Sequence, residues 1–223
     1  MQNNSQGTES KSLYENARAN CIYYKTSFSM ARSSIFDSYD PLIKTEPVFV
    51  IENMNIQERL LVRPVWIIGD LKTLHNWMNS PLRKSNWFID TGKKSLFRHY
   101  KETSLAGDSQ SFMIEHNQIP IIQFDIMPNP VKKWRNKRLK HGDDCLVNFL
   151  FAENFRMPGL FQTGFECLAE CLRSLTGIRF IYVPILQSDK YMDTQMTTIG
   201  FESRRFSTFY GKGNWLYRFE IGK

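Results

Sequence analysis

The sequence predicts an α/β fold of the α+β kind, a mixed sheet flanked by helices, and three observations carry that prediction. Leu146 to Phe151 is an almost unbroken apolar run, with charge before it and Glu153 and Asn154 after it. Such a run suits a strand buried on both faces. Phe161, Phe165, Leu168, Leu172 and Leu175 then recur at spacings of four and three, with Gln162, Glu166, Glu170 and Arg173 on the other side. That is the pattern of a core-facing helix. Arg179 to Pro184 returns the chain to the sheet as a parallel strand, which completes a βαβ crossover.

The remaining elements follow from local signals. Residues 1 to 44 are rich in Ser, Asn, Gln and Tyr, with no sustained apolar period. They are expected to form a polar arm, partly disordered or packed on the core, ahead of a domain spanning 45–223. Val48 to Ile51 and Arg59 to Trp66 read as a hairpin that turns near Met54 and Asn55. Pro64 lacks an amide donor, which predicts an edge position or a bulge for the second strand. Gly69 and Asp70 open a short helix, with Asp70 as its N-cap, Leu71, Leu74 and Met78 inward, and Pro81 as its stop. A second helix is expected from about Lys93 to Glu102, with Leu96, Phe97 and Tyr100 inward and a break at Gly107 and Asp108. Strands at 111–115 and 119–126 pair across His116, Asn117 and Gln118. Thr176 and Gly177 close the long helix. A short helix from about Lys190 to Thr198 ends at Gly200 and Phe201, and two last strands, near 201–208 and 215–221, join across 211–214. The predicted order is β, β, α, α, β, β, β, α, β, α, β, β.

At 223 residues and 42% hydrophobic content, the chain is large enough for one full core. Its polar start has neither a basic opening nor an apolar stretch, and no run approaches a membrane span, so a cytoplasmic protein with no membrane partner is expected. Cys21 and Cys145 stand alone, and Cys167 and Cys171 lie one helical turn apart, a spacing for packing; no metal is expected. The net charge of +7 favours an anionic partner. Much of the excess lies in Lys132, Lys133, Arg135, Lys137, Arg138 and Lys140, around Trp134. A solvated loop accounts for that run; nucleic acid is the alternative it leaves open.

Arg156, Pro158 and Gly159 occupy the turn between the central strand and the long helix. A turn that feeds a helix start offers backbone N–H groups and the positive end of the helix dipole, which suits a pyrophosphate.

The order of elements resembles that of the GNAT acetyltransferases, and a motif resembles their siderophore-biosynthesis branch, which acts on hydroxylysine- or hydroxyornithine-type acceptors. The motif residues are Arg63-Pro64, Asp70-Leu71, Leu74-His75, Trp77-Met78-Asn79, Pro81 and Trp87. Arg156 to Gly159 keeps the first four positions of the family's coenzyme loop, and Pro120 with Phe124 and Asp125 follows its second strand pair, with Asp in place of Glu. The resemblance covers roughly residues 59–221. It implies a GNAT fold with a mostly antiparallel central sheet. It also implies acyl transfer from acetyl-CoA or another acyl-CoA, used as co-substrate, to a small amine or hydroxylamine. Met157, Gly159, Leu160, Phe161 and Arg156 would then hold the pyrophosphate. Phe151, Ala152 and Glu153 would face the pantetheine arm and the thioester carbonyl. Asp125 and Asn148 are the candidate catalytic residues, and His75, Trp77 and Trp87 the candidate acceptor-side residues.

Phe161 occupies the place of a small residue of the family's loop, and three further positions depart from the family. The His of the siderophore branch falls on Val147, its Asp on Ile185, and the Tyr that other GNAT enzymes use as acid falls near Met196. A hydroxylamine nitrogen is largely unprotonated at neutral pH, so positioning would supply much of its rate. The departures keep a second reading open, a GNAT fold that binds a ligand or partner without turnover. An RNA-associated GNAT protein is the third.

Overall fold

The computed structural model describes residues 39–53, 58–80, 91–106, 109–128, 144–152, 160–175, 178–209 and 212–221. They form β1 (Phe49–Asn53), β2 (Glu58–Pro64), α1 (Ile67–Met78), α2 (Lys93–Leu105), β3 (Gln110–His116), β4 (Ile119–Pro128), β5 (Asp144–Phe151), α3 (Leu160–Leu175), β6 (Phe180–Leu186), α4 (Lys190–Thr198), β7 (Glu202–Phe209) and β8 (Lys212–Glu220). The order is the predicted one. One eight-stranded sheet runs β1-β2-β3-β4-β5-β6-β8-β7. Every neighbouring pair is antiparallel except β5 and β6.

Side-chain alternation along β5 divides the interior into layers. Cys145 and Val147 point to the face covered by α3, where Phe161, Phe165, Leu168 and Leu172 form the main core. Leu150 points to the opposite face, into a cluster with Trp77 and Met78 of α1, Leu96 and Tyr100 of α2 and Met113 of β3. The helix stripe seen in the sequence is therefore buried as expected; the Leu175 side chain lies outside the described residues. Burial pushes the thiols of Cys145, Cys167 and Cys171 well above the ordinary range, with smaller contributions from Asp144, Glu170 and Cys167 respectively.

Two turns show why the chain reverses where it does. β3 and β4 meet through the pair His116 and Ile119, leaving Asn117 and Gln118 as a two-residue loop with φ of 49° and 68°. Positive φ at both positions is the primed hairpin turn that matches strand twist. Asn117 further exchanges hydrogen bonds with Arg59, its N–H donating to the Arg59 carbonyl and its Oδ1 accepting the Arg59 N–H. At the end of α4, Gly200 has φ of 90°. Its N–H donates to Thr197 and that of Phe201 to Met196, with both apolar side chains buried. That is a Schellman closure, and it needs a residue free to adopt the left-handed conformation.

Several boundaries differ from the sequence reading. Pro64 does not place β2 at an edge, since β2 lies between β1 and β3. β1 stops opposite Val62, however, so Pro64 has only β3 beside it and its missing N–H breaks no ladder there. β8 begins at Lys212, not near Trp215, and Gly213 pairs with Thr208 inside the ladder. A Cβ at Gly213 would come within 2.8 Å of the Phe206 ring, so the glycine marks a close approach within a strand.

The largest difference concerns Asp70, which is not the N-cap of α1. The helix starts three residues earlier, after Trp66. Asp70 reaches back from the first turn to accept the Trp66 N–H at 2.9 Å. The same carboxylate takes a bidentate pair of bonds from Arg63, at 2.7 and 2.8 Å, and Arg63 Nε donates to Glu115 at 2.6 Å. Arg63 and Asp70 are both buried. Burial works to lower the Arg63 pKa, but the bonds and charges of Asp70 and then Glu115 outweigh it, and the net shift is upward. The network joins the end of β2, the start of α1 and β3. Asp70→Asn removes the paired charge from a buried guanidinium, and chemical denaturation is expected to show a loss of about 3 kcal/mol. A loss below about 1 kcal/mol would contradict this role.

Candidate active site

The site begins where the sheet changes character. β5 and β6 are paired only from Asp144 to Leu146 against Phe180 to Tyr182. β5 continues to Phe151 along β4, and β6 continues to Leu186 along β8. Each strand keeps its antiparallel neighbour and parts from its parallel one, so a cleft opens between the two halves of the sheet. It opens at the C-terminal ends of β5 and β6, the end from which the chain passes into α3.

Backbone direction along β5 follows from one bond. The Ala152 N–H donates to the Ile121 carbonyl of β4 at 3.1 Å. The β4–β5 register is continuous from Phe151 to Cys145, so the alternation is unbroken. Phe151 therefore directs its N–H and C=O away from β4 and toward the cleft, as does Phe149, whereas Val147 is the last residue whose N–H is taken up by the ladder to β6. The Ala152 amide is committed to β4 and has no donor to offer a coenzyme; Phe151 carries the direction that Ala152 lacks.

Phe161 is also clarified. Its ring is buried, packed edge-on against Phe149 and Phe151 with centroids 6.1 and 5.9 Å away. The side chain lies beneath the sheet and does not stand in front of the helix start. Leu160 is the first residue of α3. Glu153, Arg156, Met157 and Gly159 lie outside the described residues, as do Trp87 and the basic run at 132–140. An open depression of about 660 Å³, lined by Leu186, Gln187, Ser188, Lys190 and Gly213, lies at the same end of the sheet.

On the face away from α3, a polar row crosses three strands. Ser111 of β3 is opposite Asp125 of β4, and Asp125 is opposite Asn148 of β5. Asp125 is buried, and Asn148 is half-buried two residues past the end of the β5–β6 ladder. Asp125 Oδ1 accepts from Ser111 Oγ and Gln123 Nε2, each at 2.6 Å. Its Oδ2 lies 3.3 Å from His99 Nε2 of α2. The structure thus brings Asp125 and Asn148 together and adds His99, Ser111 and Gln123. Sequence reasoning missed His99 because it falls on the partly exposed side of α2, between Leu96 and Tyr100 on the buried stripe. Position one turn from a buried Leu, on a helix destined to cover the Asp125 face, was the available signal.

His75 and Trp77 do not join this row. Trp77 is buried in the α1–α2 core with Leu74, Met78 and Leu96, so its indole serves packing. His75 sits in the last turn of α1, and its carbonyl accepts from the backbone and side chain of Asn79 at 3.1 and 2.8 Å. Asn79 Nδ2 also donates to the Thr91 carbonyl, tying the end of α1 to the approach to α2.

No family model and no curated protein matches this sequence. Solved structures do resemble it. An uncharacterised protein from Bacillus halodurans superposes with a TM-score of 0.64 at 17% identity, over 80% of this chain and 92% of that one. Spermidine N-acetyltransferase from Vibrio cholerae, solved with CoA and spermine, gives 0.59 at 15% identity, over 74% of this chain and 96% of that one. The aminoglycoside acetyltransferase AAC(6')-Ib, solved with coenzyme A and kanamycin, gives 0.61 at 16% identity, over 72% and 94%. At these identities the likeness is one of fold, and the fold is that of the GNAT-type N-acetyltransferases.

Because the Phe161 ring is core, Phe161→Ala is expected to lower stability by about 3–5 kcal/mol in chemical denaturation. Unchanged stability would place the ring outside the core and against the helix start.

Proposed function

We propose that this chain is a CoA-dependent N-acyltransferase that moves an acyl group, acetyl in the simplest case, to the nitrogen of a small amine or hydroxylamine. The observation that carries the reading is the three-residue β5–β6 ladder, which opens the sheet just where α3 begins. Two of the solved proteins with this fold were captured with coenzyme A, one with spermine and the other with kanamycin, both amines. The positive net charge suits a coenzyme rich in phosphate.

In this reading the amides of Met157, Gly159, Leu160 and Phe161 hold the pyrophosphate at the helix start, with Arg156 beside it. Pro158 has no N–H to contribute. The backbone N–H of Phe149 or Phe151, directed into the cleft, polarises the thioester carbonyl. Glu153 flanks the pantetheine arm. Asn148 and Asp125 lie on the face from which the acceptor nitrogen approaches, with His75 and Trp87 bordering that side. Attack forms the C–N bond and breaks the C–S bond; the nitrogen loses a proton and the coenzyme leaves as its thiol. The residues present fit such a co-substrate on one physical ground: the cleft side of β5 faces outward while the bulky Phe161 ring is turned under the sheet.

Siderophore or related secondary metabolism in the cytoplasm is the setting the motif at 63–87 suggests. In this chain Arg63, Asp70, Leu74, Trp77, Met78 and Asn79 dock α1, so the motif speaks more for architecture than for the acceptor. Among the described residues no helix is long and apolar enough to cross a membrane. One observation favours the alternative of a binding protein without turnover. Val147, Ile185 and Met196, where the family resemblance places His, Asp and Tyr, are buried apolar members of the main core.

Acetyl-CoA at 100 times its Kd is expected to stabilise the protein by about 2.7 kcal/mol, read as a raised melting temperature. Gly159→Trp should abolish the shift. Thiol release with a panel of diamines and N-hydroxydiamines separates transferase from binder. No shift with any acyl-CoA would contradict the transferase reading.

A further inference from the structure

We infer that His99 is the group that takes the proton from the attacking nitrogen, with Asp125 as its positioning residue. The inference rests on the transferase reading and names the proton acceptor within it.

Asp125 occupies the acidic position but is poorly placed to act on a substrate directly. It is 3% exposed, and Oδ1 already receives hydrogen bonds from Ser111 and Gln123. Those two bonds fix the carboxylate and turn Oδ2 toward α2, where His99 Nε2 lies 3.3 Å away. The His99 side chain is 27% exposed against 5% for Asp125, so the imidazole is the member of the pair that an incoming molecule can reach. A buried carboxylate behind one ring nitrogen holds the neutral imidazole with Nε2 protonated, makes Nδ1 the basic atom, and stabilises the imidazolium once it forms. The geometry is that of a base with its orienting acid.

Location ties the pair to the cleft. Asp125 is the cross-strand neighbour of Asn148, and directly opposed residues stand about 5 Å apart. Asn148 belongs to the part of β5 that has parted from β6. Proton transfer to Nδ1 as the C–N bond forms, followed by its delivery to the departing sulfur, leaves the ring neutral and the coenzyme as thiol. The pair also answers the departures at Val147, Ile185 and Met196: the base comes from α2, above the sheet, and not from the central strand.

Among the described residues, few charged groups lie on the elements around the pair. Asp125 faces His99 from β4, and Glu102 lies one turn on along α2. Of the elements packed on α2, α1 carries Asp70, Lys72 and His75, and β3 carries Glu115 and His116. Asp70 and Glu115 are engaged by Arg63.

The test measures kcat/KM against pH, using acetyl-CoA and whichever member of the diamine and N-hydroxydiamine panel gives the fastest thiol release. The wild-type protein should show an acidic limb, activity falling as the base is protonated. His99→Gln should lower kcat/KM about 10²- to 10³-fold and remove that acidic limb, while the melting shift with acetyl-CoA persists. His99→Ala should recover part of its rate on addition of imidazole, and Asp125→Asn should lower kcat more than it changes KM. A His99→Gln protein that keeps both its rate and its acidic limb, or a His99→Ala protein that imidazole does not rescue, overturns the assignment. A wild-type chain that releases no thiol with any acceptor overturns the transferase reading, and this one with it.

Discussion

The parting of β5 from β6 is the constraint on which the rest of the molecule turns. The sheet is two antiparallel blocks, β1 to β5 and β6-β8-β7, joined by one short parallel ladder. Each block is satisfied internally, because β4 follows β5 from Cys145 to Phe151 and β8 follows β6 from Phe180 to Leu186. Nothing in the hydrogen bonding then obliges β5 and β6 to stay together. Aromatic packing under the sheet spans the divide. Phe161 and Phe165 of α3 lie against Phe149 of β5, and Phe165 also lies 4.7 Å from Phe201 and 5.2 Å from Phe219 on the other block. One helix thus fastens both blocks from below while leaving their ends apart. A packed core resists small changes of volume, so this arrangement holds the opening at a defined width.

A second set of interactions places the opposite face. The buried Arg63 guanidinium joins β2 to α1 through Asp70 and to β3 through Glu115, and Asn79 links the end of α1 to the approach to α2. Their joint effect is to set α2 over β3 and β4, which is what brings His99 to Asp125. An ionic network buried at this depth adds little net stability over an apolar substitute, but breaking half of it is costly. Its value here is positional. The motif at 63–87 is largely the set of residues that builds this support.

Much of the fold was legible because periodicity reports burial. The Phe161-to-Leu172 stripe and the run from Leu146 to Phe151 both became core, and every expected element has a counterpart in the predicted order. Errors arose where one residue type serves two roles. Asp70 reads as an N-cap, since a cap and a first-turn carboxylate bonded to the N-cap amide differ only by where the helix starts. Pro64 reads as an edge signal because local sequence does not reveal that β1 ends two residues short of it. The candidate site was only half legible. Asp125 and Asn148 could be picked from the strands that carry them. His99 could not, because what matters in it is a contact between residues 26 apart on different elements.

Hydrogen exchange of the intact protein, with and without acetyl-CoA, addresses the central claim most directly. The account predicts slowed exchange at Phe149 and Phe151 of β5 and at Leu186 of β6, the amides that face the cleft beyond the short ladder. Binding of acetyl-CoA with protection confined to other parts of the chain, and none along these two strands, would contradict it.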